Sequence, residues 1–293
     1  MEIWIPITIA AAFLQNLRSM LQKHLKGRLS TMGATFSRFI FAVPVAICVL
    51  MLLKFGFGYR IPQPNTGFIG FGVVAAFAQI GATFLLVYLF GLRNFAVGTT
   101  FSKTAAIQAA IIGFIVLQDR IHVLAIAAII LSLIGVVVIS APKTTGIFNR
   151  AALIGLACGA LFGVSAVFYR AASLSLPSGD FLIRGATLLA FTTAFQTMVM
   201  LVFLYVTEKG QIAKVLKSWR ISALTGLVGA LASLGWFTAM TLQNAAYVKA
   251  LAQVELLFTL TASWLIFKET MSKREAFGIV LVVLGILLLL LSR

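Results

Sequence analysis

The residues best placed to do chemistry in this chain are a lysine and a glutamate set deep in apolar runs. Lys103 lies nine residues past Asn94, ~13 Å into its run at helical rise, and Glu255 lies eleven residues past Asn244, ~17 Å in. An ionisable group at that depth costs at least ~2.5–3.5 kcal/mol on insertion scales, so it needs a partner or a wet surface. Glu255 is also the one acid of seven inside an apolar run. Two readings fit: an ion pair that fixes helix packing, or a pair bordering a wet cavity, where it meets the carboxylate and ammonium of a zwitterion. Arg18, Arg38, Arg184 and Lys249 lie nearer run ends, within snorkelling reach of the interface. A neutral set (Gln15, Asn16, Gln79, Gln108, Ser165 and Gln196) falls near mid-depth, and Trp236 is the residue best suited to stack on a ring. The expected substrate-binding set is Asn16, Gln79, Lys103, Gln108, Trp236 and Glu255.

Other chemistry has no residues to carry it. His24 and His122 stand in or beside loops, Cys48 and Cys158 sit singly in apolar runs, and neither HExxH nor a P-loop spacing occurs. No enzyme activity, cofactor or metal is expected. Without an ATP-binding domain, a self-powered pump is excluded.

The elements that must position these side chains follow from composition. The 293 residues are 61% hydrophobic and 10% charged, with a mean hydropathy of +1.07. A soluble chain holds roughly 45–50% apolar and ~25% charged residues, so this is an all-α integral membrane protein. Runs long enough to cross a ~30 Å core need about 20 residues. Ten are expected, at about 3–22, 31–54, 66–91, 94–117, 122–141, 148–172, 180–207, 219–241, 244–267 and 274–292. The first lacks the basic flank of a cleaved leader and is expected to remain as a helix. The net charge of +16 resides mostly in short loops, where it anchors helix ends and meets lipid head groups. Nucleic-acid binding is therefore rejected, and membrane lipids are the expected surroundings. Trp4, Trp219 and Trp264 are expected as interface anchors.

The chain repeats itself. Leu92-Arg93-Asn94-Phe95-Ala96 matches Leu242-Gln243-Asn244-Ala245-Ala246 at an offset of 150, which also superimposes Asp119 on Glu269 and Gly135 on Gly285. Two five-helix units are expected, 1–143 and 144–293. Five crossings per unit would invert the second, building two gates around one central cavity. The apolar fifth and tenth spans belong outside the cavity, facing lipid or another subunit. Gly155, Gly159 and Gly163 form a small-residue face that allows close, sliding helix contact, and Pro44 should kink the second span. These four are the expected gating and packing residues.

The basic residue early in spans 2 and 7 (Arg38 and Arg184), the elements Gln118-Asp119-Arg120 and Lys268-Glu269-Thr270, and the Gly-centred spans that follow them resemble the EamA repeat. The chain resembles the ten-helix branch of the drug/metabolite transporter superfamily, most of all the YddG-type aromatic amino acid exporters. It departs from that pattern in lacking proline in spans 4 and 9. The resemblance implies a secondary transporter that exports aromatic or apolar amino acids, or similar small metabolites, across the bacterial inner membrane by alternating access. The alternatives are efflux of lipophilic cations or other drugs, and, outside transport, a membrane scaffold or lipid flippase. A monomer is expected, with a dimer as the alternative. Orientation is contested: five loop Lys/Arg fall on the side of the termini and thirteen on the other. The positive-inside rule thus places the termini outside, whereas the resemblance implies that they are cytoplasmic.

Overall fold

The computed structural model describes residues 2–92, 101–140, 150–258 and 272–292, and all of its regular structure is helical. The helices are α1 (Trp4–Leu25), α2 (Thr31–Ile40), α3 (Ala42–Met51), α4 (Thr66–Leu89), α5 (Ala105–Leu117), α6 (Val123–Ser140), α7 (Arg150–Ser175), α8 (Phe181–Thr207), α9 (Gln211–Lys217), α10 (Trp219–Leu242), α11 (Ala245–Leu251) and α12 (Lys273–Leu291). Six helical segments are long and apolar enough to cross a membrane, and two shorter apolar ones, within α5 and α6, accompany them. Helix ends fall within a few residues of the expected spans, apart from the interruptions within the second, fourth and ninth. The short α9 is an addition. Asn94, Trp264 and the Lys268-Glu269-Thr270 element lie outside the described residues.

Helix starts are set by local hydrogen bonding. Ser30, Asn65, Asp180 and Ser272 accept from orphan backbone N–H groups at the starts of α2, α4, α8 and α12, and Ser272 with Glu275 completes a capping box. Asp180 also takes a hydrogen bond from Tyr59, in the loop before α4, which holds that phenol above its ordinary pKa.

Three interruptions matter more. The second span breaks at Phe41, between α2 and α3. Pro44 lacks the N–H that would bond a carbonyl four residues back, that of Ile40. The other two breaks contain no proline. One is a turn at Lys103-Thr104 before α5, the other a turn at Ala252-Gln253 after α11. Both replace helical bonds by tighter ones: Thr104 N–H to Phe101 O at 3.1 Å, and Gln253 N–H to Ala250 O at 3.2 Å. Thr104 Oγ1 adds a bond to the same Phe101 carbonyl at 2.7 Å. These two breaks sit within one residue of positions matched by the offset of 150.

The most extensive helix contacts are α4 with α7, α6 with α12, α1 with α10 and α5 with α7. Small residues permit them. Gly159 lies where a Cβ would come within 2.8 Å of Thr104 Oγ1, and Gly163 abuts Ala109 N and Gln108 Cβ, so the α7 glycine face seats the break at Lys103. Gly155, on the same face, is buried. On α10, a Cβ at Gly226 would come within 2.4 Å of Phe41 Cβ at the break, and one at Gly229 would lie 3.3 Å from the stems of both Arg18 and Arg38. The α12 face bearing Gly278, Val282 and Gly285 is buried against α6, while Phe277, Val280, Leu284 and Leu287 point outward. Trp219 is exposed as an anchor would be, but Trp4 is buried and donates to Glu2 Oε2 at 2.6 Å.

A Cβ at Gly278 would lie 2.5 Å from Ile139 Cγ1 and 2.9 Å from Gly135 O. Gly278→Leu should therefore overpack the α6–α12 contact, at about 1–3 kcal/mol, and lower the thermal unfolding midpoint of the purified protein in detergent. An unchanged midpoint would mean that the two helices do not touch.

Candidate functional site

A cavity of about 300 Å³ runs through the helix assembly. Lys103 and Glu255 meet in its wall as an ion pair, joining the break before α5 to the segment that follows α11. Each retains modest exposure, 24% and 15% of the side chain. That exposure is to the cavity, so the pair borders an internal space as well as bracing two helices.

Arg38 is 4% exposed and also lines the cavity. It does not snorkel. Its Nη1 donates to Thr83 Oγ1 at 2.9 Å and its Nη2 to Ser233 Oγ at 3.1 Å. The Gln79 amide oxygen accepts from both at 3.0 Å while its nitrogen donates to Ser165 Oγ at 3.0 Å. Every partner of this guanidinium is neutral. Lys249 stands over the rings of Trp236 at 5.2 Å and Phe162 at 5.5 Å, a cation–π clamp on the cavity wall. Behind the wall, Arg18 is 0% exposed, and none of its three nitrogens makes a hydrogen bond.

Of the expected binding residues, Asn16, Gln79, Lys103, Trp236 and Glu255 all line the cavity. Trp236 presents one face to Lys249. Gln108 does not line it: its Nε2 donates to Thr104 Oγ1 at 3.1 Å, across the turn at Lys103-Thr104. Gln15 and Ser165 are on the wall, whereas Gln196 bonds Ala76 O and Tyr169 Oη at 3.2 Å each. Sequence depth alone gave Arg38 and Lys249 too little weight, because distance from a run end does not show which way a side chain faces. Arg184 behaves as a side chain near a helix end, its Nε donating to Gly179 O at 2.7 Å.

One cluster escaped sequence reasoning entirely. Arg170 donates from Nε to Asp119 Oδ2 at 3.2 Å, and from Nη1 to Met240 O at 2.8 Å and Gln243 O at 2.9 Å. The C-terminal ends of α5, α7 and α10 meet there, and a guanidinium neutralises a carboxylate and two end carbonyls together. Asp119 is aimed by the left-handed Gln118 (φ 55°), whose cap bonds return to Gly113 O. Asp119 read only as part of the repeated Gln118-Asp119-Arg120 element and Arg170 as a loop charge, and no spacing rule links residues 119 and 170.

Helices of this apolarity around a polar, charge-lined cavity define a multi-pass membrane transporter of small molecules. The model for the EamA-like transporter family matches residues 2–141 and, a second time, 149–291. The chain belongs to the EamA-like transporter family. A protein of known crystal structure superposes with a TM-score of 0.75 over 99% of this chain and 97% of its own, at 16% identity, which establishes the likeness of fold. Among curated protein sequences none matches.

If Lys103 and Glu255 stabilise each other in place, Lys103→Gln and Glu255→Gln should each destabilise the protein more than the double substitution implies. A double-mutant cycle on unfolding midpoints should give a coupling of about 0.5–3 kcal/mol. Strict additivity would contradict the pair.

Proposed function

We propose that this chain carries small carboxylates with an apolar or aromatic side group across the bacterial inner membrane by alternating access. Export of aromatic amino acids is the case implied by its resemblance to the YddG-type exporters. The single observation that carries the reading is the Lys103–Glu255 pair in a cavity wall, at helix breaks matched between the two family repeats. Discontinuous helices at a repeat interface are how many secondary transporters expose polar backbone and charge to a substrate. Thr104 and Gln108 on one side, and Gln253 and Ser132 (2.5 Å) on the other, serve the breaks that proline serves elsewhere.

The pattern of contacts supports two inverted halves. Exchange of the halves turns the α1–α10 pairing into the α7–α4 pairing, and leaves α5–α11 and α6–α12 paired with themselves. In this scheme the Arg170–Asp119 clasp closes one end of the cavity, whose wall extends the other way to Met20, Lys23 and Phe90. Export requires the clasp to open while the far end closes. Glycine faces at Gly155, Gly159 and Gly163, and the Pro44 kink, let helices shift without new cavities. The pairing of Glu255 with Lys103 favours facilitated over proton-driven movement. Efflux of lipophilic cations fits poorly, because the one acid among the described wall residues is already matched by a lysine.

Proteoliposomes test this directly. Counterflow of labelled phenylalanine or tryptophan should exceed that of protein-free vesicles and should be unaffected by a protonophore. Absence of counterflow for every aromatic carboxylate tried would overturn the reading. Arg170→Gln, which removes the clasp, should slow counterflow by about tenfold, the scale of one lost charge-assisted bond. Undiminished counterflow would show that the clasp is not a gate.

A further inference from the structure

The cavity holds more positive charge than a zwitterion can use. Of the seven acids, Glu2 bonds Trp4, Asp119 bonds Arg170, Asp180 caps α8, Glu208 bonds Ser30, Glu275 caps α12, and Glu255 is paired with Lys103. The seventh, Glu269, lies outside the described residues, beyond the expected end of the ninth span. No described acid therefore pairs with Arg38 or Lys249. Arg38 is bonded to a threonine, a serine and a glutamine. Among the described residues Lys249 is held by ring faces, which stabilise a cation without cancelling its charge. Arg18 adds to their field from behind, its stem and that of Arg38 packing beside Gly229, where an added Cβ would lie 3.3 Å from each.

The geometry points to a cavity that selects aromatic monocarboxylate anions over zwitterionic amino acids carrying the same ring. This deepens the proposed function and rests on it. A carboxylate entering alone would find Arg38 and Lys249 unneutralised and would leave the Lys103–Glu255 pair intact. An amino acid brings an ammonium as well. Among the described residues its one acceptor of opposite charge is Glu255, for which it competes with Lys103, while Lys249 and Arg38 on the same wall repel the ammonium. The rings of Phe162, Trp236, Phe237 and Tyr169 around the same space supply the surface for an aromatic group.

Three probes that share one ring and differ in charge separate the cases: phenylpyruvate (−1), phenylalanine (zwitterion) and phenethylamine (+1). Initial uptake is measured at neutral pH in proteoliposomes, with the membrane potential clamped by valinomycin in equal potassium and protein-free vesicles as background. Transport should follow the order phenylpyruvate, phenylalanine, phenethylamine, with the first exceeding the second by about tenfold or more. Lys249→Gln should shrink that ratio, and Lys249→Arg should keep it. Phenylalanine moving as fast as phenylpyruvate, or faster, overturns this inference alone. Transport of none of the three overturns the functional reading and this inference with it. A ratio that survives in Lys249→Gln removes Lys249 from the account, and its survival in Arg38→Gln as well overturns the cationic basis of selection.

Discussion

Charge inside an apolar slab is costly unless an ion pair, hydrogen bonds or ring faces hold it, and the placement of Lys103, Glu255, Arg38 and Lys249 follows from that constraint. Two unit charges 4 Å apart attract by about 4 kcal/mol at an effective dielectric of 20, several times their attraction in water. Lys103 and Glu255 satisfy each other across two helix breaks. Arg38 is satisfied by a network of neutral oxygens drawn from three other helices. Each solution requires a particular side chain on a particular helix at close range. The small residues of α7 and α10 exist at those contacts because nothing larger fits between them and the charged stems or broken turns.

The same constraint links structure to movement. A helix that breaks at Lys103-Thr104 or Ala252-Gln253 exposes backbone groups that need water or substrate where side chains do not reach. Lys103, Ala252 and Gln253, at the two breaks, line the cavity, whose wall thus draws on both family repeats. The Arg170–Asp119 pair gathers three helix ends instead, one guanidinium meeting a carboxylate and two terminal carbonyls.

Much of this was legible from sequence. Span limits followed from apolar run length, to within a few residues of the described helix ends. The Lys103–Glu255 pair was visible because both residues lie too deep to escape, and the offset of 150 paired their helices. Arg38 and Lys249 were not legible as cavity residues, since a position near a run end is compatible with either face of the helix. Gln108 failed for the complementary reason: mid-depth is necessary for a cavity residue, but its amide turns to the Thr104 hydroxyl one helical turn away. The clasp between Asp119 and Arg170 depends on long-range packing that no local spacing encodes.

A wet cavity at the ion pair is the claim on which everything else stands, and cysteine accessibility tests it most directly. Ala252→Cys would place a thiol on the cavity wall at the second helix break, in a background carrying Cys48→Ser and Cys158→Ser so that it is the sole thiol. A membrane-impermeant sulfonated thiol reagent should label it in intact proteoliposomes or after detergent extraction, and an aromatic carboxylate should slow the labelling. A thiol that stays unreactive in both conditions, while the folded protein's unfolding midpoint is unchanged, would show that the pair lies in a dry core and would contradict the account.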